Sequence, residues 1–157
     1  KKLPVLFKGI RLSSEKSKSV TRQGCLILEK RSFVSSGPFR YVVIDELIDQ
    51  TLAINFGHLR CLGLFLVHAL ETFFKGVSKP LVVAALNKDK GTYSIVGYPS
   101  KTLGDFQKNV FGNAFREAAE STESRYRQES FETNFLEIQK EDNSKFFEHL
   151  HSGLIDI

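Results

Sequence analysis

The segment that most constrains the fold is residues 57–76, GHLRCLGLFLVHALETFFKG. Its apolar side chains recur at spacings of three and four residues, which is the period of an α-helix. The stripe consists of Leu59, Leu62, Leu66, Ala69, Leu70 and Phe73, and it is widened by Leu64, Phe65, Val67 and Phe74. An apolar face this wide is broader than the stripe by which a surface helix packs on a core. The segment therefore predicts a long helix, ended by Gly76, that packs deeply against a β-sheet.

Residues 79–99 predict a β-hairpin beside that helix. Two apolar runs, LVVAAL and YSIVGY, flank the turn NKDKGT, and Gly91 supplies the positive φ that such turns commonly need. Upstream, the pattern predicts strands at 4–12, 25–33, 39–46 and 51–56, a flexible polar loop at 13–23 and a turn at 34–38. Downstream, it predicts a helix over 101–121, a strand over 130–138 and a short helix over 142–154.

This order of elements predicts an α+β fold, because runs of strands are followed by helices. We expect an antiparallel sheet or sheets with the two main helices packed on one face. A length of 157 residues fits one domain, so residues 1–157 are predicted to form a single α+β domain. A docking or oligomerisation tail is the alternative role for residues 122–157. Since the first residue is Lys, we also expect a fragment, a processed form or a trimmed chain.

Charge is distributed unevenly along the chain. Residues 1–40 carry ten Lys or Arg against two Glu, a net charge of +8. Residues 117–157 carry four basic and ten acidic side chains, a net charge of −6. Such asymmetry is typical of a chain with one polyanion-binding end and one acidic end. The alternative interpretation is that the two ends attract each other within the fold.

No sequence pattern supports a metal, cofactor or catalytic site. The four histidines and two cysteines lack zinc-site spacing, and neither a phosphate-binding loop nor a nucleophile elbow is present. Asp45, Glu46 and Asp49 cluster at the end of a predicted strand and, with His58, are the first candidates for acid–base chemistry. A solvated turn explains the same cluster. We therefore expect no enzyme activity, no catalytic residues, no metal and no cofactor.

Cysteine use and hydropathy indicate an intracellular protein. Cys25 and Cys61 both have apolar neighbours, which is typical of reduced thiols that pack as small hydrophobes. A structural disulfide is the alternative, but no secretory signal accompanies it. No apolar run reaches the length of a membrane span. We expect a reducing compartment and no membrane partner, and the sequence does not distinguish nucleus, organelle and cytoplasm.

Basic and aromatic side chains interleave in two segments, EKRSFVSSGPFRY (29–41) and NKDKGTYSIVGYPSK (87–101). Lysine and arginine bind phosphates, and flat rings stack on unpaired bases. The nucleic-acid-binding candidates are Lys8, Arg11, Lys30, Arg31, Phe33, Phe39, Arg40, Tyr41, Lys88, Lys90 and Tyr93. A regular strand places Tyr93 and Tyr98 on opposite faces, so only one of the two rings joins this surface. The alternative is that the rings belong to the core and the cations to a solvated rim.

The succession of four strands and a helix over residues 4–76 resembles a PUR repeat or one half of a Whirly-type protein. The resemblance depends on a final strand that runs into a long amphipathic helix, TLAINFGHLRCLGLFLVHALETFF. The hairpin at 79–99 and the helix at 101–121 resemble a shortened second copy. This resemblance implies that single-stranded DNA or RNA binds to basic and aromatic strand positions, and that repeats pair.

These observations favour non-enzymatic binding of single-stranded nucleic acid, RNA or DNA, through a basic, aromatic-bearing sheet face. The alternative function is a protein-interaction or self-assembly module, or a subunit of a larger complex. It is motivated by the acidic C-terminal segment, whose FLEI and FFEHL sequences can dock a partner as an amphipathic helix. The expected partners are single-stranded nucleic acid and, through the C-terminal segment, a homo-oligomer or another protein.

Overall fold

The computed structural model describes residues 3–73, 79–99, 110–128 and 132–155, and it confirms the α+β class. The helices are α1 (Leu3–Glu29), α2 (Thr51–Ile54), α3 (Phe56–Phe73), α4 (Val110–Ser121) and α5 (Asn143–Ile155). The strands are β1 (Val34–Ser36), β2 (Phe39–Ile44), β3 (Leu81–Asn87), β4 (Thr92–Tyr98), β5 (Tyr126–Gln128) and β6 (Phe135–Gln139). A short 3-10 turn, Lys140–Asp142, joins β6 to α5.

Most predictions from residue 34 onward are confirmed. The predicted segments at 39–46, 57–76, 79–99, 130–138 and 142–154 correspond to β2, α3, the β3–β4 hairpin, β6 and α5. Residues 74–76, with the predicted helix end at Gly76, and residues 130–131 lie outside the described ranges. The turn predicted at 34–38 is confirmed at Gly37 and Pro38, but Val34–Ser36 form β1. α4 confirms the second half of the helix predicted over 101–121, and residues 101–109 lie outside the described ranges.

The prediction for residues 4–33 is wrong, because one helix, α1, replaces the strand, the loop and the second strand. The hydroxyls of the polar stretch bond to carbonyl oxygens one turn back, as in Thr21 Oγ1 to Ser17 O at 3.0 Å, so these side chains are accommodated within the helix. Only the last third of α1 packs on the fold, through Gln23 and Ile27, which are 3% and 4% exposed. Arg31 ends the helix in the left-handed conformation, φ 49°.

The strand predicted at 51–56 is also wrong, because residues 51–54 form α2. The Oδ1 atom of Asp49 accepts hydrogen bonds from Thr51 N at 2.9 Å and from Thr51 Oγ1 at 2.8 Å. These bonds satisfy an N–H group that the first turn of a helix leaves without an intrahelical partner. The aspartate therefore favours a helical turn over the extended conformation that the alternating sequence predicts.

The sheet has six strands in the order β1-β2-β3-β4-β6-β5. Four of its five strand pairs are antiparallel, but β2 and β3 are parallel, with Val42 opposite Val83. The chain crosses from β2 to β3 through α2 and α3, the kind of long connection that parallel strands require. The predicted antiparallel sheet is therefore a mixed sheet.

Two cores lie on opposite faces of the sheet, so the expectation that both main helices pack on one face is wrong. α3 covers one face together with α2 and the end of α1. α4 and α5 cover the other face. Every residue of β3 and β4 is buried because both faces of these strands are covered, which explains their nearly continuous apolar runs.

The C-terminal residues are part of the sheet and the core rather than a tail. β6 pairs with both β4 and β5, and its Leu136 lies opposite Ile95 of β4. In α5, Phe146 and Leu150 are fully buried. The described residues of this segment thus contribute to the fold itself, and a docking or oligomerisation role for residues 122–157 stays a prediction.

Candidate functional site

The aromatic rings proposed for nucleic-acid binding pack against the cores. Phe39 and Tyr93 are buried on the face covered by α4 and α5. Tyr41 stacks on Phe147 of α5, with ring centroids 4.7 Å apart. Phe33 is half-buried against the core on the α3 face. Because these rings already contact the protein interior, they do not form a platform for stacking bases, and the hypothesis of an aromatic sheet face is wrong.

The proposed cations do not gather on a sheet face either. Lys8 and Arg11 lie on α1, Lys30 and Arg31 in the turn after it, and Lys88 and Lys90 in the β3–β4 turn, whereas Arg40 is half-buried in β2. Two of them form ion pairs, Arg11 with Glu15 and Lys90 with Glu137, each at 3.3 Å. A role for these separate cations in binding a polyanion stays a prediction.

The carboxylates considered for acid–base chemistry have structural partners. Tyr93 Oη donates a hydrogen bond to Asp45 Oδ1. Thr51 donates to Asp49 through its hydroxyl and its backbone N–H, and these bonds lower the pKa of Asp49 below the usual value. His58 Nδ1 lies 3.4 Å from the carbonyl oxygen of Thr51. The cluster therefore stabilises the junction between β2 and α2 and the start of α3.

Three cavities lined by described residues contain polar groups, and the largest of the three, about 670 Å³, lies along β5 and β6. Another of about 360 Å³ lies between the end of α1 and the end of β2 and is lined by Gln23 and Asp45 among others. The third, of about 530 Å³, lies beside α5, where Ser36 Oγ and His151 Nδ1 are 2.5 Å apart. A catalytic serine–histidine pair commonly has a third group that orients the histidine; among the described residues, the hydrogen bond seen for the His151 ring is the one between Nδ1 and Ser36 Oγ.

Metal ligands and membrane spans were sought in the same ranges. No cluster of three or more His, Cys, Asp or Glu side chains is placed to hold a metal ion among the described residues. No helix in the described part of the chain combines the length and the apolar character that crossing a membrane requires.

Tyr93 and Tyr98 make stability sensitive to alkaline pH. Burial raises the pKa of both phenols above the ordinary value of 10.0, and the hydrogen bond to Asp45 raises that of Tyr93 further. A raised pKa contributes stability that is present below pH 10.0 and is lost as the pH rises through the folded-state pKa. We predict that the urea midpoint of the wild type falls above about pH 10.

The matched variant for this prediction is Tyr98→Phe. At neutral pH it loses the hydrogen bond from Tyr98 Oη to Arg60 O, 2.9 Å long, and about 0.5–1.5 kcal/mol of stability. Above pH 10 its midpoint is expected to fall less steeply than that of the wild type, because one raised phenol is absent. Urea titrations followed by circular dichroism between pH 7 and pH 11 measure how the midpoint of each protein changes with pH. An equally steep fall in the wild type and the variant would contradict the prediction.

The amino-terminal half of α1 carries a row of exposed apolar side chains. Leu3, Leu6, Phe7 and Ile10 are between 57% and 65% exposed. At 100° per residue, these four side chains lie within an arc of about 100° on the helix, and we call them the Leu3–Ile10 stripe. Contiguous exposed apolar residues on one helix face mark an interaction surface more often than a solvated one.

Sequence reasoning missed this stripe although its signal was present. Spacings of three, one and three residues between its members match a helix, but residues 4–12, PVLFKGIRL, were interpreted as a short strand. The stripe stops at Ile10, where Ser13, Ser14 and Ser17 follow on the same side. A helical period that lasts only two turns is too short to stand out against a strand pattern.

The fold and this surface together define a class of protein. The described residues form an α+β module with a mixed sheet whose central strands are buried on both faces, and a long helix that presents exposed apolar residues. Its polar clusters stabilise junctions between elements. This combination is typical of a protein-interaction module.

Comparisons with known proteins identify the family. A family model described as CDC45 matches residues 1–153, and the chain therefore belongs to the CDC45 family. It is 40% identical over 154 residues to the cell division control protein 45 homolog of Dictyostelium discoideum, covering 98% of this chain and 24% of that protein. The homolog of Homo sapiens is 33% identical over 159 residues, covering 97% and 28%. The chain thus spans about a quarter of the length of these curated relatives.

A solved structure has the same fold. The crystal structure of CDC45 from Entamoeba histolytica superposes with a TM-score of 0.71 over 90% of this chain and 28% of that chain. Its sequence identity is 24%, so this likeness concerns the fold alone. The family match overturns the resemblance to PUR repeats and Whirly-type proteins, which depended on strands that α1 and α2 replace. It likewise gives no support to the predicted nucleic-acid binding and homodimer.

Proposed function

We propose that this chain is part of a DNA replication initiation factor that acts in the nucleus as a subunit of a larger protein complex. The observation that supports this most directly is the family match over residues 1–153. The relatives are named cell division control protein 45 homologs, which agrees with a role in the cell cycle. The alternative function considered from the sequence, a subunit of a larger complex, agrees with this family better than nucleic-acid binding by a sheet face does.

The surface of the module supports a role in assembly rather than in catalysis. The central strands of the mixed sheet are covered on both faces, so most of the exposed large apolar side chains among the described residues lie on helices, above all on α1. The polar side chains that resemble catalytic groups, Asp45, Asp49 and His58, bond to elements of the fold itself. Contacts with other subunits, not a reaction, are therefore the function proposed for this part of the family polypeptide.

Rapid depletion of the protein from synchronised dividing cells tests this function. We expect cells depleted before DNA synthesis to fail to incorporate labelled nucleotides, because a subunit required to start replication is missing. Cells depleted after synthesis has finished should complete that division normally. The control is a depletion-resistant copy of the wild-type polypeptide, which should restore incorporation. Normal incorporation after complete depletion would contradict the proposal.

A further inference from the structure

The two ends of α1 have opposite environments. At its C-terminal end, Gly24 lies against the ring of Phe65 in α3, and Ile27 is buried in the core on that face. At its N-terminal end, every residue from Leu3 to Lys18 is exposed. Gly9, for example, has no other atom within 4 Å of where a Cβ would lie. The described part of the chain therefore anchors one end of a 27-residue helix and leaves the other end uncovered.

Charge on α1 indicates what kind of surface fits the exposed end. Between residues 3 and 23, five basic side chains stand against one acidic side chain, Glu15. The basic side chains are Lys8, Arg11, Lys16, Lys18 and Arg22. Arg11 follows Phe7 by one turn, so a cation borders the Leu3–Ile10 stripe directly. A complementary surface is apolar opposite the stripe and acidic beside it.

We propose that the Leu3–Ile10 stripe docks onto the remaining part of the same family polypeptide, through an apolar surface bordered by acidic side chains. The curated relatives are about four times longer than the region that matches this chain. Since no described residue of this chain covers the stripe, we take its partner surface to lie in the other three quarters of the polypeptide. α1 then contacts both this module and the rest of the polypeptide, and so fixes the orientation of the module within the larger protein.

Two other occupants agree less well with the same observations. A second copy of the chain would bring two α1 helices together, each with a net charge of +4 between residues 3 and 23, and like charges at close range repel. A membrane surface would favour an apolar face that continues along the helix. In α1 that side becomes Ser13, Ser14 and Ser17 after Ile10.

Hydrogen exchange on two forms of the protein tests the proposal. One form is the 157-residue chain, and the other is the polypeptide encoded by its complete reading frame. We expect the amides of residues 3–12 to exchange at least about tenfold more slowly in the longer form, because docking opposes local opening. Equal exchange rates in both forms would overturn the proposal, as would a reading frame that adds nothing to the 157 residues.

A pair of variants then separates the stripe from the rest of the helix. The double variant Leu6→Glu with Phe7→Glu should abolish the slow exchange in the longer form and leave the melting temperature of the 157-residue chain unchanged. Val5→Glu is the matched control, since Val5 is 72% exposed but lies about 150° from the centre of the stripe. If both variants lose the slow exchange to a similar extent, the position of the helix end and not the stripe sets the exchange rates of residues 3–12, and the proposal is overturned.

The remaining outcomes identify the other occupants. Sedimentation of the 157-residue chain as a dimer that the double variant dissociates would assign the stripe to a second copy. Co-sedimentation of the longer form with vesicles of anionic phospholipid, lost in the double variant, would assign it to a membrane. Either result overturns intramolecular docking. The inference depends on the family match and not on the replication role, so the depletion experiment and the exchange experiment fail independently.

Discussion

Replacement of Phe115 by alanine is expected to lower the free energy of unfolding by about 3–5 kcal/mol. Phe115 is fully buried at the centre of the core that α4 and α5 form with the sheet. Its ring lies 5.3 Å from that of Phe111 and 5.8 Å from that of Phe146, centroid to centroid. Truncation leaves a cavity between α4 and α5 and removes both ring contacts. The lost burial of apolar surface, the cavity and the lost ring contacts all lower the free energy of unfolding.

Thermal and urea denaturation followed by circular dichroism measure this loss. For a chain of this size the expected fall in melting temperature is about 6–20 °C. Phe73→Ala is the matched control, because Phe73 is 71% exposed and its truncation should change stability by less than about 0.5 kcal/mol. Phe115→Leu keeps most of the volume and should fold even where the alanine variant does not, with a loss of less than about 1.5 kcal/mol. Similar losses for Phe115→Ala and Phe73→Ala would contradict the assigned core.

The regions that sequence reasoning predicted correctly are those whose pattern is set by burial. In α3, Leu59, Leu62 and Leu66 are all fully buried, and their helical spacing is therefore visible in the sequence. The hairpin is similar, because β3 and β4 are covered on both faces and Gly91 has the positive φ of 64° expected at its turn. Where burial in the core restricts a face to apolar residues, the spacing of those residues in the sequence indicates the secondary structure.

α1 was mispredicted because most of its surface is exposed, so burial in the described structure does not impose a helical pattern on its sequence. Burial constrains only its last third, around Gln23, Gly24 and Ile27, while the serine-rich middle has no apolar period. Residues 25–28, CLIL, have a composition that also suits a strand. The helix is continuous because its anchored end propagates the backbone hydrogen bonds of the exposed part, and this cooperativity is not a property of any local window of sequence.

The parallel pairing of β2 and β3 could have been predicted from the order of elements. A predicted strand, a helix of about twenty residues and another strand form a βαβ unit, and such a connection normally makes the two strands parallel. The predicted extra strand at 51–56 broke this pattern, and Asp49 converts that segment into α2. One mispredicted segment thus changed the expected sheet from mixed to antiparallel.

The hypothesis of a basic sheet face that bears exposed rings failed for a related reason. Composition places basic and aromatic residues close together in the sequence, but it does not show which face of a strand each one occupies. In β2, the alternation puts Phe39 and Tyr41 under α5 and Arg40 on the other side of the sheet. Rings and cations that are neighbours in sequence are therefore separated by the sheet itself.

Gly63 of α3 shows how closely the helix approaches the sheet. A Cβ atom at this position would overlap Cε2, Cζ and Oη of Tyr98. The Tyr98 ring cannot easily move away, because it is 7% exposed and its hydroxyl donates to Arg60 O at 2.9 Å. The glycine therefore permits the contact by which α3 covers β4.

Gly63→Ala is accordingly expected to destabilise the protein by about 1–3 kcal/mol, even though alanine is favoured over glycine inside a helix by about 1 kcal/mol. Gly9→Ala is the matched control, since Gly9 lies in α1 with open space around it and should show no loss and up to about 1 kcal/mol of gain. Urea midpoints of both variants measure the effect.

A double-mutant cycle of Gly63→Ala and Tyr98→Leu then tests its cause. If steric overlap with the ring is responsible, Gly63→Ala should lower the free energy of unfolding by less when residue 98 is leucine, a favourable coupling of about 0.5–3 kcal/mol. An alanine penalty that is the same with either residue at position 98 would show that the contact between α3 and β4 does not depend on this glycine.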